Sequence, residues 1–274
     1  VFTNFIIPSC SLYAGSSTPG VSLYTICQLG WLTMPMPMLM HGTKGRLKIP
    51  VPAYFVRHPK GTVVFDSGLS MEVQREGAKA LGSMESLFDV HFEPNEEISA
   101  RLESVDMEAG KIDFLVSSHL HFDHCGGNEL ISNARWIIQK REWEAASVRD
   151  TPVSKQYNPK DFDHGHDRIE ADGEYDIFGD GAVRCIPTHG HTPGHQSLMV
   201  ETDTGPVVLC GDACYLRKTL EEMWLPAKSV VHDEAQMRAS LERLKSLQDG
   251  GARLMYGHDP DFWADVPQAP VAIA

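Results

Sequence analysis

The chain has 274 residues, a formal net charge of −13 and a pI near 5.4, with 42% hydrophobic and 22% charged residues. These values suit a globular protein with a sizeable core. The acidic balance, with no basic stripe, argues against a nucleic-acid partner, and no run of about eighteen apolar residues is available to span a membrane.

The opening stretch VFTNFIIPSCSLYAG lacks the basic n-region of a secretory signal. A Gly/Ser/Thr/Pro cluster from Gly15 to Gly20 closes an N-terminal arm, residues 1–20, ahead of a single domain over 21–274. The apolar character of that arm suggests a homodimer contact. Six cysteines (10, 27, 125, 185, 210 and 214) form no CxxC pair in a chain too large to need disulfide staples. Reduced thiols and a cytoplasmic location are therefore expected.

VSLYTICQLGWLTM, from Val21, reads as a strand-like run, and the two prolines of the following MPMPMLM forbid a regular helix. VPAYFVRHPKGTVVFDSG, from Val51, reads as two strands joined by a turn at His58–Gly61. A helix is predicted over Asn95–Val105, with Asn95 as cap and Ile98, Leu102 and Val105 on one face. Another is predicted over Asp233–Leu247, with Asp233 and Gln236 resembling a capping box, a Met237/Leu241/Leu244 stripe, and Gly250-Gly251 as the stop. A hairpin is predicted from Gln196–Val200 and Val207–Cys210 around Asp203-Thr204-Gly205. Alternating strands and helices point to an α/β fold with mixed sheets and helices outside.

Four apolar strands run into titratable residues. Ile112–Val116 leads to His119, His121, Asp123 and His124; Ala182–Ile186 to His189 and His191; Val207–Cys210 to Asp212; and Arg253–Tyr256 to His258. Functional groups of layered α/β proteins collect at one end of the sheet. Imidazole and carboxylate are donors that divalent transition metals prefer. In extended chain His119 and His121 point the same way and can share an ion. Asp123 and His124, beyond a bend eased by Gly126-Gly127, can serve a second one, with Asp212 as the natural carboxylate between the two.

HLHFDH fits the H-x-H-x-D-H motif of the metallo-β-lactamase superfamily, and FDSG, HGHTPGH, GDACY and YGHD follow in that superfamily's order. Over roughly Val51 to Trp263 the chain most resembles the N-acyl homoserine lactonases, which carry a tyrosine three residues after the bridging aspartate, as Tyr215 follows Asp212. HFDHCGGN is also similar to 4-pyridoxolactonase. The resemblance implies an αββα sandwich and two zinc ions. His119, His121 and His191 would hold one, Asp123, His124 and His258 the other, and Asp212 would bridge them. Asp66 would support the ligand loops from behind. The chain departs from the pattern at THGHTPGH, where His189 stands in a proline's place. That leaves His189 and His191 as candidates; the GH-x-x-GH frame favours His191.

The activity implied is lactone hydrolysis, with N-acyl homoserine lactone as the small-molecule substrate and quorum quenching as the outcome. A hydroxide held between the ions would attack the carbonyl. Tyr215 would stabilise the oxyanion, Asp123 would return the proton, and Phe122 with the Trp31–Met40 segment would line an acyl groove. His/Asp donors also accept iron, manganese or cobalt. The alternatives are a lactonase for another lactone, such as 4-pyridoxolactone, and a metal-dependent binding or sensor protein without turnover. Cys125 and Cys214 are read as packed thiols, His195 as a packed or supporting histidine, and His164 and His166 as part of a solvated loop.

Overall fold

The computed structural model describes residues 20–26 and 29–274. The predicted arm, apart from Gly20, and Cys10 and Cys27 lie outside them. The first half of the chain supplies β1 (Ser22–Ile26), β2 (Trp31–Pro35), β3 (Arg46–Pro50), β4 (Ala53–His58), β5 (Gly61–Phe65), β6 (Asp89–His91), β7 (Phe114–Val116), β8 (Arg135–Gln139) and β9 (Arg168–Ala171). The second half supplies β10 (Tyr175–Asp176), β11 (Val183–Pro187), β12 (Gln196–Thr202), β13 (Gly205–Leu209) and β14 (Arg253–Met255).

Three sheets result: a six-stranded sheet in the order β1-β4-β5-β7-β8-β9, a five-stranded sheet β10-β11-β12-β13-β14, and a small sheet β3-β2-β6. The two large sheets are mixed, because each ends in parallel pairs: β5-β7-β8-β9 in one and β13-β14 in the other. Strand alternation divides the core in two. Tyr54, Val56, Val63, Phe65, Val116 and Ile137 of one sheet share an apolar cluster with Val183, Cys185, Leu198, Val200, Val207 and Leu209 of the other. Their chain neighbours Phe55, Val64, Leu115, Trp136 and Ile138 belong instead to a cluster that includes the helical residues Ile98, Leu102, Met237, Leu241 and Leu244. The result is the αββα sandwich, sheet on sheet inside and helices outside.

Several predicted elements differ in detail. The run from Val21 is two strands in different sheets: β1 pairs with β4, whereas β2 pairs with β3 and β6. The helix predicted at Asn95 spans Ile98–Glu103 with Glu97 as its cap residue. Asn95 sits at φ 70°, and its N–H donates to the Glu97 carboxylate instead of its side chain capping the turn. The Ile98/Leu102/Val105 face is buried as expected. The helix predicted at Asp233 spans Glu234–Asp249, with Asp233 accepting from the Gln236 N–H and Gly250 at its end.

Gly126 and Gly127 act differently from the prediction. Their φ values are −60° and −87°, so they are not needed for a left-handed bend. They are needed for approach: a Cβ on Gly127 would lie 2.3 Å from the Ser67 carbonyl oxygen, and one on Gly126 2.5 Å from the Ser70 nitrogen. The loop after β5 thus presses against the loop after β7, with the Ser67 N–H donating to the His124 carbonyl at 2.8 Å. The strand ends are knitted across the sandwich as well. Gln196 Nε2 donates to the Ser117 carbonyl (2.8 Å), and Gln139 Nε2 to Gln196 Oε1 (2.9 Å).

Candidate metal centre

The loops after β7, β11, β13 and β14 converge. They bring together two donor sets, His119/His121/His191/Asp212 and Asp123/His124/His258, each with its ligand atoms within 4.8 Å of one another. All seven sequence-predicted ligands are in these sets. His189 is in neither; it is half-buried, with Nδ1 3.1 Å from the His195 carbonyl, so the THGHTPGH frame delivers His191.

In the first set three imidazole nitrogens face one another. His119 Nε2 lies 2.9 Å from His121 Nδ1, and His191 Nε2 lies 3.0 Å from His121 Nδ1 and 3.2 Å from His119 Nε2. His191 directs Nδ1 at the Val230 carbonyl (2.8 Å), which leaves Nε2 as a lone pair toward the cluster. Burial, and then the neighbouring imidazoles His124 and His121, hold His119 well below the usual histidine range; burial brings His191 down to about 3. Neutral imidazoles with converging lone pairs repel unless a cation lies between them. Around a tetrahedral zinc with bonds of about 2.0–2.1 Å, neighbouring nitrogens stand about 3.3–3.4 Å apart. The observed triangle is only slightly tighter.

The second set carries the acids. His258 directs Nδ1 at the Pro50 carbonyl (2.8 Å) and Nε2 at Asp212 Oδ1 (3.0 Å). His124 has Nδ1 2.9 Å from Asp66 Oδ2 and Nε2 3.1 Å from Asp212 Oδ1. Neither His124 Nε2 nor Asp212 Oδ1 makes an aligned hydrogen bond, although both are buried. Burial disfavours charge on His124 and His258, but the neighbouring carboxylates, Asp212 first and Asp123 after it, together outweigh it and raise both. A divalent cation satisfies the same attraction and takes the place of those protons.

Asp212 divides its oxygens between the sets. Oδ2 is 3.3 Å from His191 Nε2 and 3.7 Å from His119 Nε2, while Oδ1 serves His124 and His258. Misaligned, buried, mutually facing donors on both sides of one carboxylate fit a pair of metal ions. Asp66 stands behind: it accepts from the Ser118 N–H (2.7 Å) and Ser118 Oγ (2.9 Å) as well as facing His124.

A cavity of about 480 Å³ opens onto the cluster, reaching His121, Asp123, His191, Asp212 and His258. Phe122 lines it, edge-on to Phe88 at 5.2 Å. Met34, Pro35, Pro37, Met38 and Leu39 of the Trp31–Met40 segment also line it, whereas Met40 is buried in the core. Tyr215 lines it too, its ring stacked on His258 at 5.9 Å and its hydroxyl 3.0 Å from His191 Nδ1. Cys125 and Cys214 are fully buried and donate to the His121 and Leu216 carbonyls. His166 departs from the solvated-loop reading: it is partly buried, with Nε2 3.2 Å from the Ile131 carbonyl.

Sequence reasoning missed the wall residues Ile49, Met84, Leu87 and Val230, and it missed Glu142. Glu142 follows the end of β8, next to β7 in the sheet, so the strand-end signal that found the ligands applies to it as well.

The model of the metallo-beta-lactamase superfamily matches residues 48–258, and the chain belongs to that superfamily. Within it, the similar proteins include lactonases. The chain is 32% identical to the N-acyl homoserine lactonase AttM of Azorhizobium caulinodans over 84% of this chain and 89% of that one. It is 31% identical to the N-acyl homoserine lactonase AiiA of Bacillus thuringiensis subsp. kurstaki over 79% and 84%. Among solved structures, an N-acyl homoserine lactone hydrolase with N-hexanoyl-L-homoserine at its catalytic metal centre superposes with a TM-score of 0.82 at 27% identity, covering 92% of this chain and 98% of that one. A variant of B. thuringiensis AiiA with bound N-decanoyl-L-homoserine gives the same TM-score at 26% identity, with the same coverage.

Proposed function

We propose that this chain is a dinuclear zinc lactonase that opens the ring of N-acyl homoserine lactones and so quenches quorum signals. One observation carries the reading: Asp212 splits its oxygens between two buried donor sets at the floor of a largely apolar cavity. The similarity to AttM and AiiA supports the substrate class.

Two divalent ions held by His119/His121/His191 and Asp123/His124/His258, with Asp212 between, would activate a water near neutral pH and polarise the ester carbonyl. The chain's own groups do the rest. His191 and His258 are fixed by carbonyl acceptors and His124 by Asp66, so the ligand lone pairs are set before substrate arrives. Tyr215 keeps its proton, because burial and then the charges of Asp212 and Asp123 push its pKa up. Its hydroxyl oxygen faces the His191 Nδ1–H that the Val230 carbonyl also receives, and its O–H, within reach of the Asp212 carboxylate, would turn to the lactone oxygen as negative charge develops. Asp123, which lines the cavity, would take the proton released by the attacking water and return it to the ring oxygen as the C–O bond breaks.

Among the described residues no lysine or arginine lines this cavity, and methionine, leucine, isoleucine, valine, alanine, proline and phenylalanine supply most of the wall. An uncharged lactone with an apolar tail fits that lining better than a compact polar one such as 4-pyridoxolactone. The test is a pH-stat screen of purified protein against acyl-homoserine lactones of varied tail and aromatic lactones, with metal content measured on the same preparation. Acid release from acyl-homoserine lactones with about two ions per chain is expected. Selective opening of the aromatic lactone would overturn the substrate assignment, and tight ligand binding without acid release would make the protein a sensor.

A further inference from the structure

Glu142 is a carboxylate with no solvent exposure, and the only buried residue of the helix Lys140–Ser147. Its Oε1 accepts the Leu120 N–H (3.1 Å) and the Tyr157 hydroxyl (2.8 Å), and its Oε2 accepts the Gly194 N–H (2.8 Å). Leu120 lies between His119 and His121, and Gly194 is three residues past His191. The two backbone donors therefore belong to the two loops that supply the three-histidine set. The third donor, Tyr157, rests its ring 5.6 Å from that of His121.

The approach is close by construction. A Cβ on Gly194 would fall 2.3 Å from the Glu142 nitrogen, so only glycine lets this loop reach the carboxylate. Burying a carboxylate is costly, and burial raises the proton affinity of this one despite its donors. A helix anchor alone does not need a charge. A charge that collects N–H donors from two separate ligand loops fixes their spacing, and charge-assisted hydrogen bonds are short and strongly directional.

We propose that Glu142 is a positioning residue: it sets the separation of the His119/His121 loop from the His191 loop, and thereby the affinity and geometry of the ion those histidines hold. This rests on the metal reading of the site given above. The test compares wild type with Glu142→Gln, which keeps volume but offers one acceptor oxygen where two are used. Both proteins, loaded with zinc, are titrated with a chromophoric chelator; both are also loaded with cobalt and their visible ligand-field spectra recorded. Supporting contacts behind metal ligands typically contribute about 10- to 100-fold in affinity. One of two ions should be released from Glu142→Gln about tenfold or more easily, with a changed cobalt spectrum, while the other ion holds as in wild type.

If Glu142→Gln does not fold, Tyr157→Phe carries the same comparison, with about threefold weaker binding of the same ion expected. A variant with lowered melting temperature but wild-type affinity for both ions and an unchanged cobalt spectrum would make Glu142 structural only and overturn the proposal. A wild-type protein that binds no ion tightly would overturn the metal reading itself, which is a separate outcome.

Discussion

His195 Nε2 accepts the backbone N–H of Asp212 at 3.0 Å. Nδ1–H is then left to donate to Thr188 Oγ1 (2.9 Å), which donates to Ser197 Oγ (2.8 Å), which donates to the Cys210 carbonyl (3.0 Å). The chain of donors runs one way and closes on the residue two before Asp212. Burial keeps His195 neutral, well below the usual histidine range, as an acceptor at Nε2 requires. This histidine holds the loop that presents the central carboxylate.

His195→Phe keeps much of the volume and removes the acceptor. Leaving a buried N–H unpaired costs about 1–3 kcal/mol, so urea unfolding should show a loss of that size. Metal affinity should fall about tenfold as the Asp212 loop loosens. His195→Gln, whose side-chain oxygen can accept the same N–H, should recover part of both. Wild-type stability and metal affinity in His195→Phe would show that the loop is held by other means.

Tyr215→Phe should leave folding and metal content unchanged and reduce turnover. An oxyanion donor can contribute about 100-fold or more, and a metal ion on the same oxygen should limit the loss to about tenfold. His189→Ala is the companion measurement. Its ring faces the His195 carbonyl outside both donor sets, so elemental analysis should find no ion lost. Full activity of Tyr215→Phe on every lactone cleaved would reduce the tyrosine to packing.

The candidate ligands were legible because each follows an apolar strand within a few residues, so a local pattern reports a shared end of the fold. His195 was legible only as a packed or supporting histidine, and Glu142, although it too follows a strand end, was not singled out. Their burial depends on donors from Asp212, Leu120 and Gly194, which are distant in sequence, and nothing in a helix-forming stretch such as KREWEAAS distinguishes a buried glutamate from a solvated one. The division of the run from Val21 between two sheets is set by which partners β1 and β2 find, and β-propensity is silent on partners. Gly126-Gly127 were marked correctly as special positions, but the reason, contact with Ser67 and Ser70, exists only in three dimensions.

The cavity wall predicts chain-length dependence. Met34, Met38, Leu87, Phe88 and Phe122 can cover a tail, and each buried methylene is worth about 0.8 kcal/mol, or roughly fourfold in kcat/KM. Specificity should therefore climb with tail length until the cavity is filled and then level off. Phe122→Ala should flatten that slope while retaining both metals. A flat profile from short to long tails in wild type would show that the wall does not hold the tail.

Asp161, a member of neither donor set, provides a pH-dependent stability test. It is buried, and burial followed by the charge of Glu72 raises its pKa from 3.8 to about 7, against the opposing hydrogen bond from Asn158. A carboxyl group whose folded pKa exceeds its unfolded value is destabilising when ionised. The penalty is absent below the unfolded pKa, grows as pH rises from about 4, and is complete above about 7. Asp161→Asn removes the ionisation and keeps the shape. It should gain on wild type by on the order of 2 kcal/mol more at pH 8 than at pH 5, from the pKa difference at about 1.4 kcal/mol per unit. Urea unfolding of both proteins at the two pH values measures this directly, and an equal difference at both would mean that Asp161 titrates normally in the folded chain.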